Sequence, residues 1–302
     1  LIKTKKNSGV NFNLIKIILT IAVGLVCFYQ FKKINFNNLS TITLSNYSSL
    51  FLAIILVIPN YLLEYIKWDL IIKSTQQTVS KAIKIQSFFA GIITGMLTPN
   101  MQGNFIGRIY YFPRKVRLPI TLLTLTSNLG QFCVTIVLGV MALFLTNTGT
   151  QTYWYLPFGV FVFAMIVYFS FERISYFKRQ FKWYRRLEDT IRDNGWLRWQ
   201  ILGLSFLRNI VFSIQFSLAL HAFGADLNWK TYWLIWELYL WTTLSPSLIF
   251  GKLFVRESLA LWVFAALHLE EWNILAASFF IWIINLLVPT LTGLFICKKK
   301  NK

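Results

Sequence analysis

The sequence has little with which to hold a metal and little with which to face water. Only 2 histidines and 3 cysteines occur in 302 residues. Cys27, Cys133 and Cys297 all lie in apolar stretches, no two at metal-ligand spacing, and read as small packing residues. His221 and His268 read as ordinary residues near a membrane boundary, which leaves no histidine-based metal site. There is no Gly-x4-Gly-Lys-Ser/Thr phosphate loop. Ser-His, His-Asp and His-Glu-x-x-His constellations are missing too. No cofactor, no metal and no enzyme activity are therefore expected, and any transport is driven by a gradient or by mass action. Charge is the other shortage: 14% of residues are charged, against about 25% in soluble domains. That is too little polar surface to wrap a water-soluble globule of this length.

What the chain does have is apolar surface. Hydrophobic residues make up 56% of it and the mean hydropathy is +0.56. Lys and Arg number 30 against 11 Asp and Glu, a net charge of +19. The basic residues stand mostly between apolar stretches, so they read as orientation signals facing an anionic membrane surface, and no nucleic-acid partner is expected. A helix spans a bilayer with about 20 apolar residues, and candidate spans lie at 14–31, 47–72, 118–145, 153–171, 197–223 and 272–297. Tyr29-Gln30-Phe31-Lys32 is no signal-peptide cleavage site, so 14–31 reads as a first span. Regions 82–112 and 231–269 are apolar but interrupted by Pro, Gly and charge. The expectation is an all-α polytopic membrane protein of about eight helical segments. It forms one transmembrane domain, with a basic cytoplasmic loop over 172–196.

Loop charge sets the orientation. Arg173 to Arg198 is the richest basic loop, and Lys298, Lys299 and Lys300 follow the last span, so both belong to the cytoplasmic side. Lys73, Lys81 and Lys84 flank one end of region 82–112, and Arg114, Lys115 and Arg117 flank the other, so that region enters and leaves on one face. Region 231–269 starts and ends near the outside. Lys32 and Lys33 depart from the rule. The two interrupted regions also share a pattern. Leu97-Thr98-Pro99 leads to Gly103 and, after four residues, Arg108; Leu244-Ser245-Pro246 leads to Gly251 and, after four residues, Arg256. Two matching broken elements entering from opposite faces are the mark of an inverted-repeat transporter, here with repeat one at about 47–145 and repeat two at about 197–297. Pro removes an amide and Gly permits sharp turns. Irregular backbone survives in a bilayer only where protein buries it or water fills a cavity. A freed helix N-terminus there offers amides to an anion, and Arg108 or Arg256 adds a guanidinium fork suited to phosphate.

These residues resemble the flippase-like family, the transmembrane region of lysylphosphatidylglycerol synthases and its stand-alone relatives. That family carries an early Pro-x-x-x-Gly-Glu-x-x-x-Arg-like element and a late Pro…Gly-Gly-x-Gly-x-Arg-Glu element. Here Pro99 leads to Gly103, Asn104 and Arg108, and Pro246 leads to Gly251, Arg256 and Glu257. Glu64 to Asp69 is similar to the family's first motif, and the resemblance spans about 14–297. Asn104 stands where the family often has an acid, and the second glycine cluster is thinned to Gly251, with Leu248 and Ile249 in place of small residues. The resemblance implies a bacterial inner-membrane protein with cytoplasmic termini that moves an anionic or polyprenyl-phosphate-linked lipid between leaflets, beside a membrane-associated synthase or glycosyltransferase. A membrane-embedded lipid transferase and a non-transporting anchor for a partner enzyme are the alternatives.

Charge inside apolar segments marks further candidates, because a charged side chain at a helix centre costs about 2.5–3.5 kcal/mol. Arg208, next to Asn209 in span 197–223, is the most out of place, and is either a headgroup contact or the partner of Glu237 or Glu257. Glu64 and Lys67 share a helix face and read as a structural pair with Lys67 reaching to the interface. Arg256 and Glu257 are adjacent, so their side chains are expected to diverge. Asn128, Gln131 and Asn285 read as interhelical hydrogen-bonding residues. The candidate substrate site is thus Pro99, Gly103, Asn104, Arg108, Arg208, Pro246, Gly251, Arg256 and Glu257.

Overall fold

The apolar runs fold into helices, as bilayer-length segments without a strand pattern must. A computed structural model of the chain describes residues 42–98, 101–146, 155–170, 196–245 and 254–297. The expected first span at 14–31, Pro99, Pro246, Gly251, nearly all of the 172–196 loop and the lysines of the tail lie outside the described residues.

In chain order the α-helices are α1 (Tyr47–Ile55), α2 (Val57–Ser74), α3 (Lys81–Met96), α4 (Asn104–Tyr110), α5 (Arg114–Leu145) and α6 (Tyr155–Ser170). Then follow α7 (Leu197–Ala222), α8 (Trp229–Leu244), α9 (Val255–Phe264), α10 (Glu271–Trp282) and α11 (Val288–Ile296). Local chemistry sets several boundaries. Asn46, Ser80 and Asn228 cap α1, α3 and α8 by accepting a backbone N–H with their side chains. The expected span 47–72 is divided at Leu56, where Pro59 has no amide to give the Ile55 carbonyl. A π-helical turn, Ile283–Leu287, joins α10 to α11. Among the described residues, four stretches are long and apolar enough to cross a membrane: Tyr47–Ser74, Arg114–Leu145, Leu197–Ala222 and Glu271–Ile296. The protein is an all-α, multi-spanning membrane protein.

The two interrupted regions both fold back on themselves. α4 lies against α3, with Gly107 facing Ala90 and Gly95 facing Asn104. α9 lies against α8, with the Trp241 and Trp262 rings 5.9 Å apart. Each return arm is preceded by a bulky residue in the left-handed region, Met101 (φ 56°) and Phe254 (φ 67°), conformations that side chains other than glycine rarely adopt. The packing between the halves is reciprocal. α8, in the second hairpin, packs on α5, and α3, in the first hairpin, packs on α11. α7 packs against α1, α2, α5, α8 and α10 and so touches both halves.

The apolar core is split in the same way. One cluster gathers Trp68, Ile72, Phe88, Phe112 and Leu123 around the first hairpin; the other gathers Phe216, Leu234, Leu238, Phe264 and Ile281 around the second.

Candidate functional site

A cavity of about 410 Å³ draws its walls from both halves. α2 contributes Tyr61, Glu64 and Lys67, the first hairpin Met101, Gln102, Asn104 and Arg108, and α5 Asn128, Gln131 and Thr135. α7 contributes Arg208 and Asn209, and the second hairpin Thr242, Thr243 and Arg256. Residues flanking both breaks therefore border one space. Its size falls in the usual range for a small-molecule site, about 300–1,000 Å³.

Glu64 is the electrostatic centre. Its Oε1 accepts from Arg108 Nη2 at 2.9 Å, and its Oε2 lies 2.8 Å from Lys67 Nζ and 3.2 Å from Arg208 Nη1. One carboxylate thus holds three cations from three helices. Arg108 is sunk against Gly91, with its guanidinium 4.9 Å from the Trp68 ring and 5.9 Å from that of Phe88. Its Nε has no hydrogen-bond partner among the described residues. Lys67 also approaches Gln131 Oε1 and Ser205 Oγ, both at 3.4 Å. Arg208 donates its Nε to Asn60 Oδ1 at 2.9 Å and is the most open of the four cations, with 25% of its side chain exposed. Arg256 donates to Glu257 Oε1 at 2.6 Å and to the Ser278 carbonyl at 2.7 Å, and its Nε reaches Ser278 Oγ at 3.1 Å.

Among the described residues, four cations at the cavity meet two carboxylates, Glu64 and Glu257. Two positive charges are left over in a low-dielectric setting, where an unpaired charge is costly. An entering anion offsets that cost. Around the charges stands a ring of neutral donors and acceptors. Asn104 and Asn128 exchange reciprocal side-chain hydrogen bonds, both 3.1 Å, and Asn209 donates to Thr135 Oγ1 at 3.3 Å. Behind Arg208 a buried amide chain runs away from the cavity. Asn60 donates to Asn285 Oδ1 at 2.8 Å, Asn285 to Gln215 Oε1 at 2.9 Å, and Gln215 to the Ala53 carbonyl at 2.8 Å. Asn285 sits in the π-helical turn, and its own carbonyl accepts from the Tyr61 hydroxyl at 2.5 Å.

Of the residues singled out from sequence, Asn104, Arg108, Arg208 and Arg256 border the cavity. Gly103 and Glu257 stand behind that wall. Gly103 donates its N–H to Thr98 Oγ1 at 2.8 Å, leaving no room for a Cβ, and Glu257 holds Arg256. Three expectations fail. Lys67 does not reach to the interface; it is 2% exposed, because Glu64 offers it a partner inside. Arg208 pairs with neither Glu237 nor Glu257 but with Glu64 and Asn60; Glu237 accepts instead from the Thr146 hydroxyl at 2.9 Å. Arg256 and Glu257 do not diverge: a long guanidinium arm curls back to its neighbour when Ser278 fixes its Nε. Residues missed as site members include Glu64, Lys67, Asn128 and Gln131; the signal for the first two was an acid and a base within an apolar run.

Among the described residues no group of three or more His, Cys, Asp or Glu is placed to hold a metal. No curated protein and no solved structure matches the chain. A family model does, and it runs over residues 13–293, through both hairpins and every residue of the cavity wall. The chain therefore belongs to the family described as the lysylphosphatidylglycerol synthase TM region.

Proposed function

We propose that this protein is a flippase-like transporter that passes an anionic lipid headgroup through the cavity between its two hairpins while the acyl or prenyl tails stay in the bilayer. Family membership and the polytopic helical bundle support a flippase-like membrane transport role. The observation that carries the choice of headgroup is the surplus of two positive charges where Lys67, Arg108, Arg208 and Arg256 meet Glu64 and Glu257. A phosphate takes guanidinium donors in pairs, and the ring of Asn, Gln and Thr suits the hydroxyls of a glycerol or sugar. The lysyl headgroup in the family's description ends in ammonium groups, which this wall repels. The proposed site comprises Pro99 to Arg108, Pro246 to Glu257 and Arg208.

The reciprocal packing of α8 on α5 and α3 on α11, and the matched left-handed residues Met101 and Phe254, support reading the halves as an inverted repeat with two re-entrant hairpins. Alternating access is then a rocking of one hairpin-bearing half against the other. The bacterial inner membrane is the proposed location, with cytoplasmic termini and a lipid-modifying synthase or glycosyltransferase as neighbour.

The test is reconstitution of the full chain in phosphatidylcholine vesicles carrying fluorescent phosphatidylglycerol, with leaflet exchange read by dithionite quenching. Wild type is expected to move the lipid. Arg208→Ala removes charge-assisted contacts worth about 2 kcal/mol and is expected to weaken its recognition about thirtyfold. Equal rates for wild type, Arg208→Ala and empty vesicles defeat the reading, as does equal movement of phosphatidylglycerol and its lysyl ester.

A further inference from the structure

We infer that Glu64 is a built-in stand-in for the headgroup phosphate: it latches the two halves together in the empty cavity and gives up Arg208 when an anion enters. This rests on the transport reading above and adds to it a gating residue that the sequence pattern assigned to a structural pair.

The three bonds to Glu64 are unequal, and the inequality decides which one opens. Lys67 is on the same helix, one turn on, and is 2% exposed. Arg108 is equally buried and is wedged between the Trp68 and Phe88 rings. Neither has anywhere to go. Arg208 has the longest contact, 3.2 Å, and the most exposed side chain. Its Nε is also bonded to Asn60 Oδ1, likewise on α2. The entering anion replaces the carboxylate as counter-charge, so release does not leave an uncompensated buried cation, which is the usual penalty for breaking such a pair.

The bond that opens is also the one that matters for movement. Glu64 is on α2 in the first half and Arg208 is on α7 in the second. That bond, the Asn60 contact and the Lys67–Ser205 contact are the polar ties between those helices at the cavity, and the ion pair is the one an anion competes for. A ligand changes a conformational balance only by binding one state more tightly than the other. An anion that takes Arg208 from Glu64 does this directly, because its affinity is highest once the tie is broken. In the empty protein Glu64 occupies the guanidinium, so the halves stay latched and the cavity does not cycle without cargo. By the same reasoning Glu64 competes with the ligand, and its removal should strengthen binding while uncoupling it from movement.

Binding and distance are read on the full chain in phosphatidylcholine nanodiscs, with dioctanoyl phosphatidylglycerol as probe. Spin labels on Leu62→Cys in α2 and Leu207→Cys in α7, both lipid-exposed, report the separation, in a background with Cys27, Cys133 and Cys297 changed to serine. Wild type is expected to widen its distance distribution on adding the probe. Glu64→Gln is expected to be wide already and to bind the probe at least about fivefold more tightly, the lower end of ordinary coupling between linked equilibria. Glu64→Asp keeps the charge and is expected to restore latching. If wild type binds the probe and Glu64→Gln binds it equally or more weakly, the stand-in role fails while the transport reading survives. Absence of any probe binding by wild type removes the transport reading itself. Should Glu64→Gln not fold, the wild-type distances decide: no widening at saturating probe overturns the latch.

Discussion

The two hairpins are packed with different materials. In the first, backbone meets backbone: a Cβ on Gly107 would lie 2.1 Å from the Ala90 carbonyl oxygen, and one on Gly91 would lie 2.7 Å from Arg108 Cγ. In the second, the described arms carry no glycine, and large rings meet where Trp241 of α8 stands 5.9 Å from Trp262 of α9. Their arginines differ in the same way. Arg108 reaches out of its hairpin to Glu64 on α2, whereas Arg256 is held by the adjacent Glu257 and by Ser278 of α10. The difference separates two ways of carrying a cation in a bilayer. The hairpin packed through glycine sends its charge to a carboxylate on another helix, whereas the hairpin packed through rings pairs its charge with the adjacent residue and with α10. On this comparison the first hairpin is expected to act as the fixed wall of the cavity and the second as the wall that adjusts.

The largest test of that contrast is Gly107→Ala set against Trp241→Phe. The alanine methyl has to displace backbone rather than a side-chain tip, so α4 must part from α3. Overpacking usually costs about 1–3 kcal/mol and more when nothing can yield, so a loss of about 3 kcal/mol is expected for Gly107→Ala. Trp241→Phe trims a ring contact worth about 1 kcal/mol. Thermal unfolding of the purified variants in detergent measures both. Equal losses would mean that the first hairpin is no stiffer than the second.

Much of this arrangement was legible in the sequence, and the reason is the solvent. A bilayer demands long apolar runs, so Tyr47–Ser74, Arg114–Leu145, Leu197–Ala222 and Glu271–Ile296 announce themselves by length and composition alone. It also penalises stray charge, which is why Arg208 stood out, while the shared Pro, Gly and Arg spacing marked Arg108 and Arg256; all three border one cavity. What stayed hidden was pairing. Glu64 meets Arg208 across 144 positions of sequence, and Glu64–Lys67 looked complete as a local pair. Spacing says which residues share a helix face, but not which neighbouring helix brings a second and third cation to it. The π-helical turn around Asn285 was equally invisible, because its residues continue the same apolar run.

A second test concerns how each hairpin docks on the opposite half. Gly139 of α5 faces Leu240 of α8, where an added Cβ would come within 2.4 Å of the leucine Cβ. Gly293 of α11 faces Phe89 and Ile93 of α3, where the nearest atoms stand 3.3 Å away. Replacing a mid-helix glycine by alanine gains roughly 1 kcal/mol of helix propensity in water-soluble systems. At Gly293 the clash is mild and side chains can shift by tenths of an ångström, so Gly293→Ala is expected to be neutral or slightly stabilising. At Gly139 the steric cost is expected to exceed the gain, for a net loss of about 1–2 kcal/mol. Thermal unfolding again reads the sign, and a stabilising Gly139→Ala would show that the second hairpin yields more readily than its close docking implies.

The smallest expected change is at the tip of the first hairpin, and it tests whether that tip faces the same anion as Arg256. Asn104→Asp keeps the hydrogen bond donated by Asn128 Nδ2 but replaces the donor that Asn128 Oδ1 had been accepting. Losing one neutral hydrogen bond costs about 1 kcal/mol. The new carboxylate also halves the surplus of two positive charges. The result expected is therefore a modest loss of stability and a several-fold weaker response to dioctanoyl phosphatidylglycerol, on the order of what 1 kcal/mol does to an equilibrium. Added salt separates the two effects, because it screens the charge and leaves the lost hydrogen bond as it is. If the Asp variant binds the probe as well as wild type at low salt, the first tip does not share the electrostatic field of the second, and the anion meets the adjustable wall alone.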